Sequence, residues 1–202
     1  MITKNVGFVV RYKGKRGKMD LNAVDYGTEN FENIVFVDID GVFNHMNMKC
    51  EYRFLQESVD AINELYDTHR IQLVLSSSWK NAYSFLFMQT LFKDNGIKAP
   101  LIDKTFTYFQ NMENNNNFSL EDLEGNELDV HYAREYEIYS WLKVFKPKHF
   151  LILDDYEMKK FNLREHQILT SYFGNNNEEL AFRRKHLNEG RKILEKEGYV
   201  YV

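Results

Sequence analysis

The chain has one cysteine, two prolines and no long apolar run. The shortage of cysteine and of apolar runs excludes several classes of protein. The single cysteine, Cys50, excludes an internal disulfide and a cysteine cluster for zinc, as is usual in a reducing cytosol. No segment approaches the roughly 20 apolar residues of a membrane span, and the first residues lack the apolar stretch of a secretory signal. We therefore expect a cytoplasmic protein without a membrane partner.

Neither sign of charge dominates the chain. Lysine and arginine total 26 against 30 aspartates and glutamates, so composition by itself predicts no affinity for polyanions. Two local basic clusters remain candidates for nucleic-acid contact: Lys13, Lys15, Arg16 and Lys18 in the first, and Arg183, Arg184, Lys185, Arg191 and Lys192 in the second. Aromatic residues make up 15% of the 202 residues, which predicts a packed core of the size of one domain.

The pattern of apolar residues predicts an α/β core. Runs ending at Val37, Leu75 and Leu153 are typical of strands buried on both faces of a parallel sheet, and residues 167–170 predict a further strand. Helical periodicity is predicted for residues 58–66, 82–92, 132–144 and 178–196. Strands that alternate with helices through right-handed crossovers give a doubly wound, Rossmann-like parallel sheet with helices on both faces.

Two regions depart from this pattern. Residues 1–30 predict an N-terminal β-hairpin appendage with a basic turn, and residues 31–202 form the predicted core. Within the core, residues 103–130 lack periodicity and include four consecutive asparagines. We interpret this segment as a loop or minimal cap that is inserted in the core and covers its functional site.

The first predicted strand ends in two aspartates. Asp38 and Asp40 follow the run NIVFV directly, and Gly41 breaks the strand. Open α/β sheets place their ligand sites at the carboxyl ends of such strands. Two carboxylates can lie close together there if they bind a divalent metal, if they share a proton, or if one acts as a nucleophile and the other as an acid.

Polar residues also follow the other buried strands. Ser76 comes directly after the second strand, and Asp154 and Asp155 after the third, so these side chains can converge with Asp38 and Asp40 at one sheet edge. Four carboxylates close together require a cation, and hard oxygen ligands favour Mg²⁺. The residue types are those of a phosphoryl-transfer site with a magnesium cofactor.

These residues carry a resemblance to a known superfamily. DIDGV at residues 38–42, LVLSSSW at residues 73–79 and LILDD at residues 151–155 resemble, in order, three motifs of the haloacid dehalogenase-like (HAD) phosphohydrolases. The remaining motif, a cation before the last acidic strand, is matched by Arg134. The chain is most similar to the HAD-like domain of Swiss Army Knife RNA repair proteins and of small phage and bacterial relatives.

The resemblance implies a role for each site residue. Asp38 would attack phosphorus, Asp40 would act as general acid and then base, Ser76 would bind a phosphoryl oxygen, and Arg134 would offset developing charge. The resemblance gives Mg²⁺ the candidate ligands Asp38, Asp40, Asp154 and Asp155. Gly41, Ser77 and Lys80 are candidates for substrate binding.

Several assignments stay open from the sequence. Three consecutive serines leave the second motif with either Ser76 or Ser77, and Lys80 or Lys143 is an alternative to Arg134 as the cation. Where the relatives have a glycine-leucine-threonine turn after the acidic strand, this chain has SYFGNNN at residues 171–177. The rim of the site is therefore expected to differ there.

The sequence predicts a reaction more sharply than a substrate. No gap between motifs is long enough for a full cap domain, and an open site suits a nucleotide or a terminal phosphate of a nucleic acid. A phosphorylated small molecule is the other expected partner, and no oligomeric state is predicted. The alternative functions are a catalytically weak module that binds a phosphorylated ligand or partner protein, and phosphotransfer to an acceptor other than water.

Overall fold

A computed structural model of the chain describes residues 31–48, 52–106, 133–196 and 199. One sheet contains five parallel strands: β1 (Asn33–Val37), β2 (Gln72–Leu75), β3 (Leu101–Lys104), β4 (His149–Asp154) and β5 (Gln167–Leu169). Their spatial order is β3-β2-β1-β4-β5, so β1 is the central strand. Strand order reverses on the two sides of β1, and ligand sites of open α/β sheets form at such a switch point.

Helices cover both faces of the sheet. They are α1 (Gln56–His69), α2 (Trp79–Ala82), α3 (Phe85–Asp94), α4 (Ala133–Phe145) and α5 (Leu187–Leu194). Val35 and Val37 of β1 belong to the buried cluster that includes α1, α3 and α5, whereas Ile34 and Phe36 belong to the cluster that includes α4. This alternation of side chains between two packed faces confirms the predicted doubly wound α/β fold.

No helix in the described ranges is both long enough and apolar enough to cross a bilayer.

Strand β3 was not predicted from the sequence. Its four residues end in Asp103 and Lys104, and only Leu101 is buried, so the apolar run that marks a central strand is lacking. The Nε1–H of Trp141 donates to Asp103 at 2.8 Å, and Lys104 Nζ donates to the carbonyl of Lys80 at 3.1 Å. The segment predicted as a loop from residue 103 therefore begins inside an edge strand.

The helix predicted over residues 82–92 is divided in the structure. Tyr83 has an extended backbone between α2 and α3, and Ser84 caps α3 by accepting a hydrogen bond from the backbone N–H of Phe87. Serine is a favoured N-cap because its hydroxyl satisfies a donor of the first turn. An apolar pattern that runs through the cap concealed this break.

The terminal helix predicted over residues 178–196 is shorter than expected. Only α5 is α-helical there, and two short 3-10 turns, Asn177–Glu179 and Arg184–His186, precede it. Phe182 anchors the intervening segment, because its N–H donates to Val42 at 3.0 Å and its carbonyl accepts from the Ser58 hydroxyl at 2.6 Å. These two contacts fix the backbone where the charge pattern favoured a helix.

Two predicted features lie outside the described residues. They are the N-terminal hairpin of residues 1–30, with its basic cluster, and residues 107–130 of the predicted loop or minimal cap.

Candidate active site

The sheet register brings the strand-end residues together. Val37 of β1 pairs with Leu75 of β2 and with Leu153 of β4, so Asp38 comes one residue after the last paired position, between Ser76 and Asp154. The backbone continues this alignment, since Asp38 N–H donates to Leu153 and Ser76 N–H donates to Val37.

Side-chain alternation then selects the face of the sheet. Asp38 continues the series of Ile34 and Phe36, and Asp154 continues that of Phe150 and Ile152, and these four apolar residues pack with α4. The carboxylates of Asp38 and Asp154 therefore lie on the side of the sheet that the first turn of α4 covers.

Arg134 belongs to this first turn of α4. Its Nη1 contacts Asp38 Oδ2 and donates to Asp154 Oδ2 at 2.7 Å, so one guanidinium bridges the ends of β1 and β4. The other oxygens accept from the backbone: Asp38 Oδ1 from Ile39 at 2.7 Å, and Asp154 Oδ1 from Tyr156 at 2.8 Å. Charged donors and backbone donors together hold both carboxylates in fixed orientations.

Asp155 completes a group of three carboxylates. Ligand oxygens of Asp38, Asp154 and Asp155 lie within 4.8 Å of one another. Burial, followed by the negative charge of Asp38, raises the pKa of Asp155 to about 6, and burial also raises the pKa of Asp154. The excess of negative charge over the single guanidinium makes this donor set a suitable site for a hard divalent cation.

We expect Mg²⁺ to stabilise the protein more at pH 8 than at pH 5. The pKa of Asp155 is raised from its ordinary value of 3.8 to about 6. Between these pH values the folded protein keeps a proton on Asp155 that the unfolded chain releases. Stability without metal should therefore fall as pH rises from about 4 to 6. Because burial also raises the pKa of Asp154, this group should extend the loss of stability to higher pH. At pH 8 a hundredfold excess of Mg²⁺ over its Kd should raise the Tm by about 5–10 °C.

Thermal melts in Mg²⁺ and in EDTA at the two pH values measure this difference. Asp155→Asn should reduce the Mg²⁺-dependent shift at pH 8. An equal shift at both pH values would argue against a metal bound by these carboxylates.

Ser76 and Ser77 differ in their surroundings. The Ser76 hydroxyl is buried without a hydrogen-bond partner among the described residues, whereas Ser77 Oγ accepts a long bond of 3.4 Å from the backbone N–H of Trp79. A buried hydroxyl without a partner is uncommon, and a bound ligand oxygen would satisfy it. Of the two serines, Ser76 therefore has the hydroxyl that is available to donate to a bound ligand.

The carboxylate of Asp40 is separate from the group of three. Its Oδ1 accepts from Asn44 Nδ2 and its Oδ2 from Trp79 Nε1, both at 2.9 Å. Two neutral donors thus hold the carboxylate of Asp40, to which the family resemblance assigns the role of general acid and base. Neither Asn44 nor Trp79 was predicted to position Asp40, and the only signal in the sequence was that they lie within or beside the motifs.

Lys80 is a buried residue with protein partners. Its Nζ contacts Glu137 of α4 and donates to Thr105 Oγ1 at 2.7 Å. Burial lowers the pKa of Lys80, although the carboxylate of Glu137 opposes this effect. Glu137 lies three residues after Arg134, on the same side of α4, so this helix supplies both a cation to the aspartates and an anion to Lys80.

Lys143 is far from this group. It is exposed near the end of α4, with its Nζ 5.2 Å from the centre of the Tyr139 ring. It lies nine positions after Arg134 in the helix, about 13.5 Å along the axis. Of the three cations considered from the sequence, Arg134 is the one in contact with the aspartates.

Gly41 has a backbone that other residues rarely adopt. Its φ is +76°, and a Cβ placed there would lie 2.6 Å from Asp155 Cβ. Its N–H donates to the carbonyl of Asn44 at 3.1 Å, which closes the turn after β1. Glycine is therefore required here by conformation and by the approach of Asp155.

Acidic partners neutralise much of the second basic cluster. Glu64 of α1 contacts both Arg184 and Arg191, and Glu57 contacts Arg183. These ion pairs attach α5 and the segment before it to α1.

A cavity of about 360 Å³ adjoins Asp40. Its lining includes Asn44 and His45 after β1, Trp79 and Tyr83 after β2, and Tyr172 after β5. Tyr172 belongs to the SYFGNNN segment of residues 171–177, so this segment contributes a wall of the cavity.

The five-stranded parallel sheet, with an aspartate pair after its central strand and an acidic pair at the end of the next, defines a Rossmann-like α/β domain of the haloacid dehalogenase type. The chain belongs to the family described as the HAD domain in Swiss Army Knife RNA repair proteins, whose model matches residues 34–175. Family membership supports a phosphatase-type role and use of a metal ion. Neither the curated proteins nor the solved structures gave a match.

Proposed function

We infer that this protein is a Mg²⁺-dependent phosphatase that hydrolyses a phosphomonoester through an aspartyl-phosphate intermediate. The observation that carries this proposal is the contact of Arg134 with Asp38 and Asp154, beside the carboxylate of Asp155. A nucleophile, a fixed positive charge and a candidate metal site then share one end of the sheet. The family description names RNA repair proteins, which supports a nucleotide or a terminal phosphate of a nucleic acid as substrate.

The first step is displacement at phosphorus. A carboxylate oxygen of Asp38 forms the new bond to phosphorus while the bond to the ester oxygen breaks, and protonated Asp40 gives its proton to that leaving oxygen. Ser76 donates a hydrogen bond to a phosphoryl oxygen, and Arg134 stabilises the charge that spreads over the phosphoryl group. Mg²⁺ held by Asp38, Asp154 and Asp155 would neutralise negative charge on the substrate and on these carboxylates.

The second step releases phosphate. Asp40, now a carboxylate, accepts a proton from water as the water oxygen bonds to phosphorus and the bond to Asp38 breaks. The hydrogen bonds from Asn44 and Trp79 hold Asp40 in position for both transfers.

Phosphate release across a set of phosphomonoesters tests this function. We expect release with Mg²⁺ and none in EDTA, with nucleoside monophosphates or 3′- or 5′-phosphorylated oligonucleotides preferred over sugar phosphates. Absence of release from every compound in Mg²⁺ would instead favour the binding module. Release of an organic product without inorganic phosphate would indicate transfer to another acceptor.

A further inference from the structure

The cavity beside Asp40 lies where the leaving group of the proposed reaction must be. Asp40 protonates the leaving oxygen, so the remainder of the substrate has to lie next to its carboxylate. The cavity adjoins that carboxylate and has a volume of about 360 Å³, more than a single phenyl ring needs. Its lining therefore contacts the group that carries the phosphate.

Aromatic rings reach this cavity from both sides of the central strand. Trp79 and Tyr83 follow β2, and Tyr172 follows β5, and these strands lie on opposite sides of β1. Each ring has a contact that restrains it: the Tyr83 hydroxyl is 2.8 Å from that of Tyr52, Trp79 Nε1–H donates to Asp40, and the Tyr172 ring lies edge-on to that of Phe173 with centroids 4.8 Å apart. Fixed aromatic faces favour a planar ligand.

Polar groups accompany the rings. Asn44 Oδ1 is a buried acceptor without a hydrogen-bond partner among the described residues, and Asn44 lines the cavity. His45 also lines it, and its Nδ1 accepts from the backbone N–H of Asn47 at 3.3 Å, which leaves the ring proton on Nε2. An acceptor and a donor of this kind suit a planar ring with polar edges.

We propose that this cavity is a nucleobase subsite, in which Tyr172 and the Trp79 and Tyr83 pair contact the faces of the base attached to the scissile phosphate. The inference rests on the proposed phosphatase function and identifies the residues that select its substrate. A sugar phosphate has no flat face for these rings, and a phenyl phosphate has no polar edge for Asn44 and His45. A nucleobase has both.

The test compares Tyr172→Ala with Tyr172→Phe, which keeps the aromatic face. The measured quantity is kcat/KM for a nucleoside monophosphate divided by kcat/KM for ribose 5-phosphate. We expect this ratio to fall about tenfold in the alanine variant, because aromatic stacking contributes an effect of this size for each base. The phenylalanine variant should keep the ratio within about twofold, since stacking does not need the hydroxyl. Tyr172→Leu replaces the alanine variant if that variant fails to fold.

Binding of unphosphorylated nucleosides, measured by calorimetry with ribose as control, separates this inference from the reaction. Nucleoside binding that depends on Tyr172, without phosphate release from any substrate, would refute the phosphatase and support the subsite. Phosphate release without nucleoside binding, or with equal use of ribose 5-phosphate, would overturn the subsite and leave the phosphatase. A preference for phosphotyrosine over nucleotides would also overturn it.

Discussion

Asp38→Asn is expected to abolish Mg²⁺-dependent phosphate release, with a loss of at least about a thousandfold in kcat. The asparagine amide has nearly the same shape as the carboxylate but lacks the charge that attacks phosphorus. Arg134 also loses one of its two carboxylate contacts, while the contact with Asp154 remains. Single-turnover and steady-state assays on the best substrate of the screen measure the loss.

Asp67→Asn is the matched control. Asp67 is an exposed aspartate of α1 that pairs with Lys98 at 2.8 Å, away from the carboxylate group. The same change of charge there should leave kcat within about twofold, because surface pairs contribute little. If Asp38→Asn kept the activity of the wild type, Asp38 would not be the nucleophile and the proposed mechanism would fail.

Lys80→Met is expected to destabilise the protein by about 3–5 kcal/mol. The side chains of Lys80 and Glu137 are 2% and 9% exposed, so removal of the lysine takes a contacting cation away from a buried carboxylate. Thr105 Oγ1 loses its hydrogen-bond donor as well. Urea unfolding of the purified variants gives the change in the free energy of unfolding.

Two further variants identify the cause of that loss. Lys98→Met makes the same substitution in the exposed pair with Asp67 and should cost less than about 1 kcal/mol. Adding Glu137→Leu to Lys80→Met removes both buried charges and should recover most of the lost stability. A small effect of Lys80→Met, with a large effect on KM, would instead give Lys80 the substrate-binding role considered from the sequence.

The sequence predicted the central strands because burial on both faces leaves a simple mark. Residues 34–37, 73–75 and 150–153 are uninterrupted apolar runs, and each belongs to a buried strand. The edge strand β3 has no such mark, since three of its four residues are only partly buried. An apolar run therefore marks a strand that is buried along its whole length, and β3 lacks this run because most of its residues are only partly buried.

Some residues of the candidate site could be identified from the sequence, and others could not. Asp38 and Asp154 were identifiable because each stands at the end of an apolar run. Nothing local distinguishes Arg134 from Lys80, and their different roles come from partners 96 and 57 residues away along the chain. The hydrogen bond between Trp79 and Asp40, across 39 residues, is of the same kind.

The sequence by itself determined the central strands of the sheet, their carboxyl edge and the acidic residues there, because an unbroken apolar run is a local property of the chain. Only the tertiary structure decided which cation contacts the aspartates, which serine hydroxyl has no partner among the described residues, and which aromatic rings line the cavity beside Asp40. These choices depend on how α4 crosses the sheet and how the segments after β2 and β5 flank β1. Packing between distant elements sets those distances, and sequence spacing does not encode them.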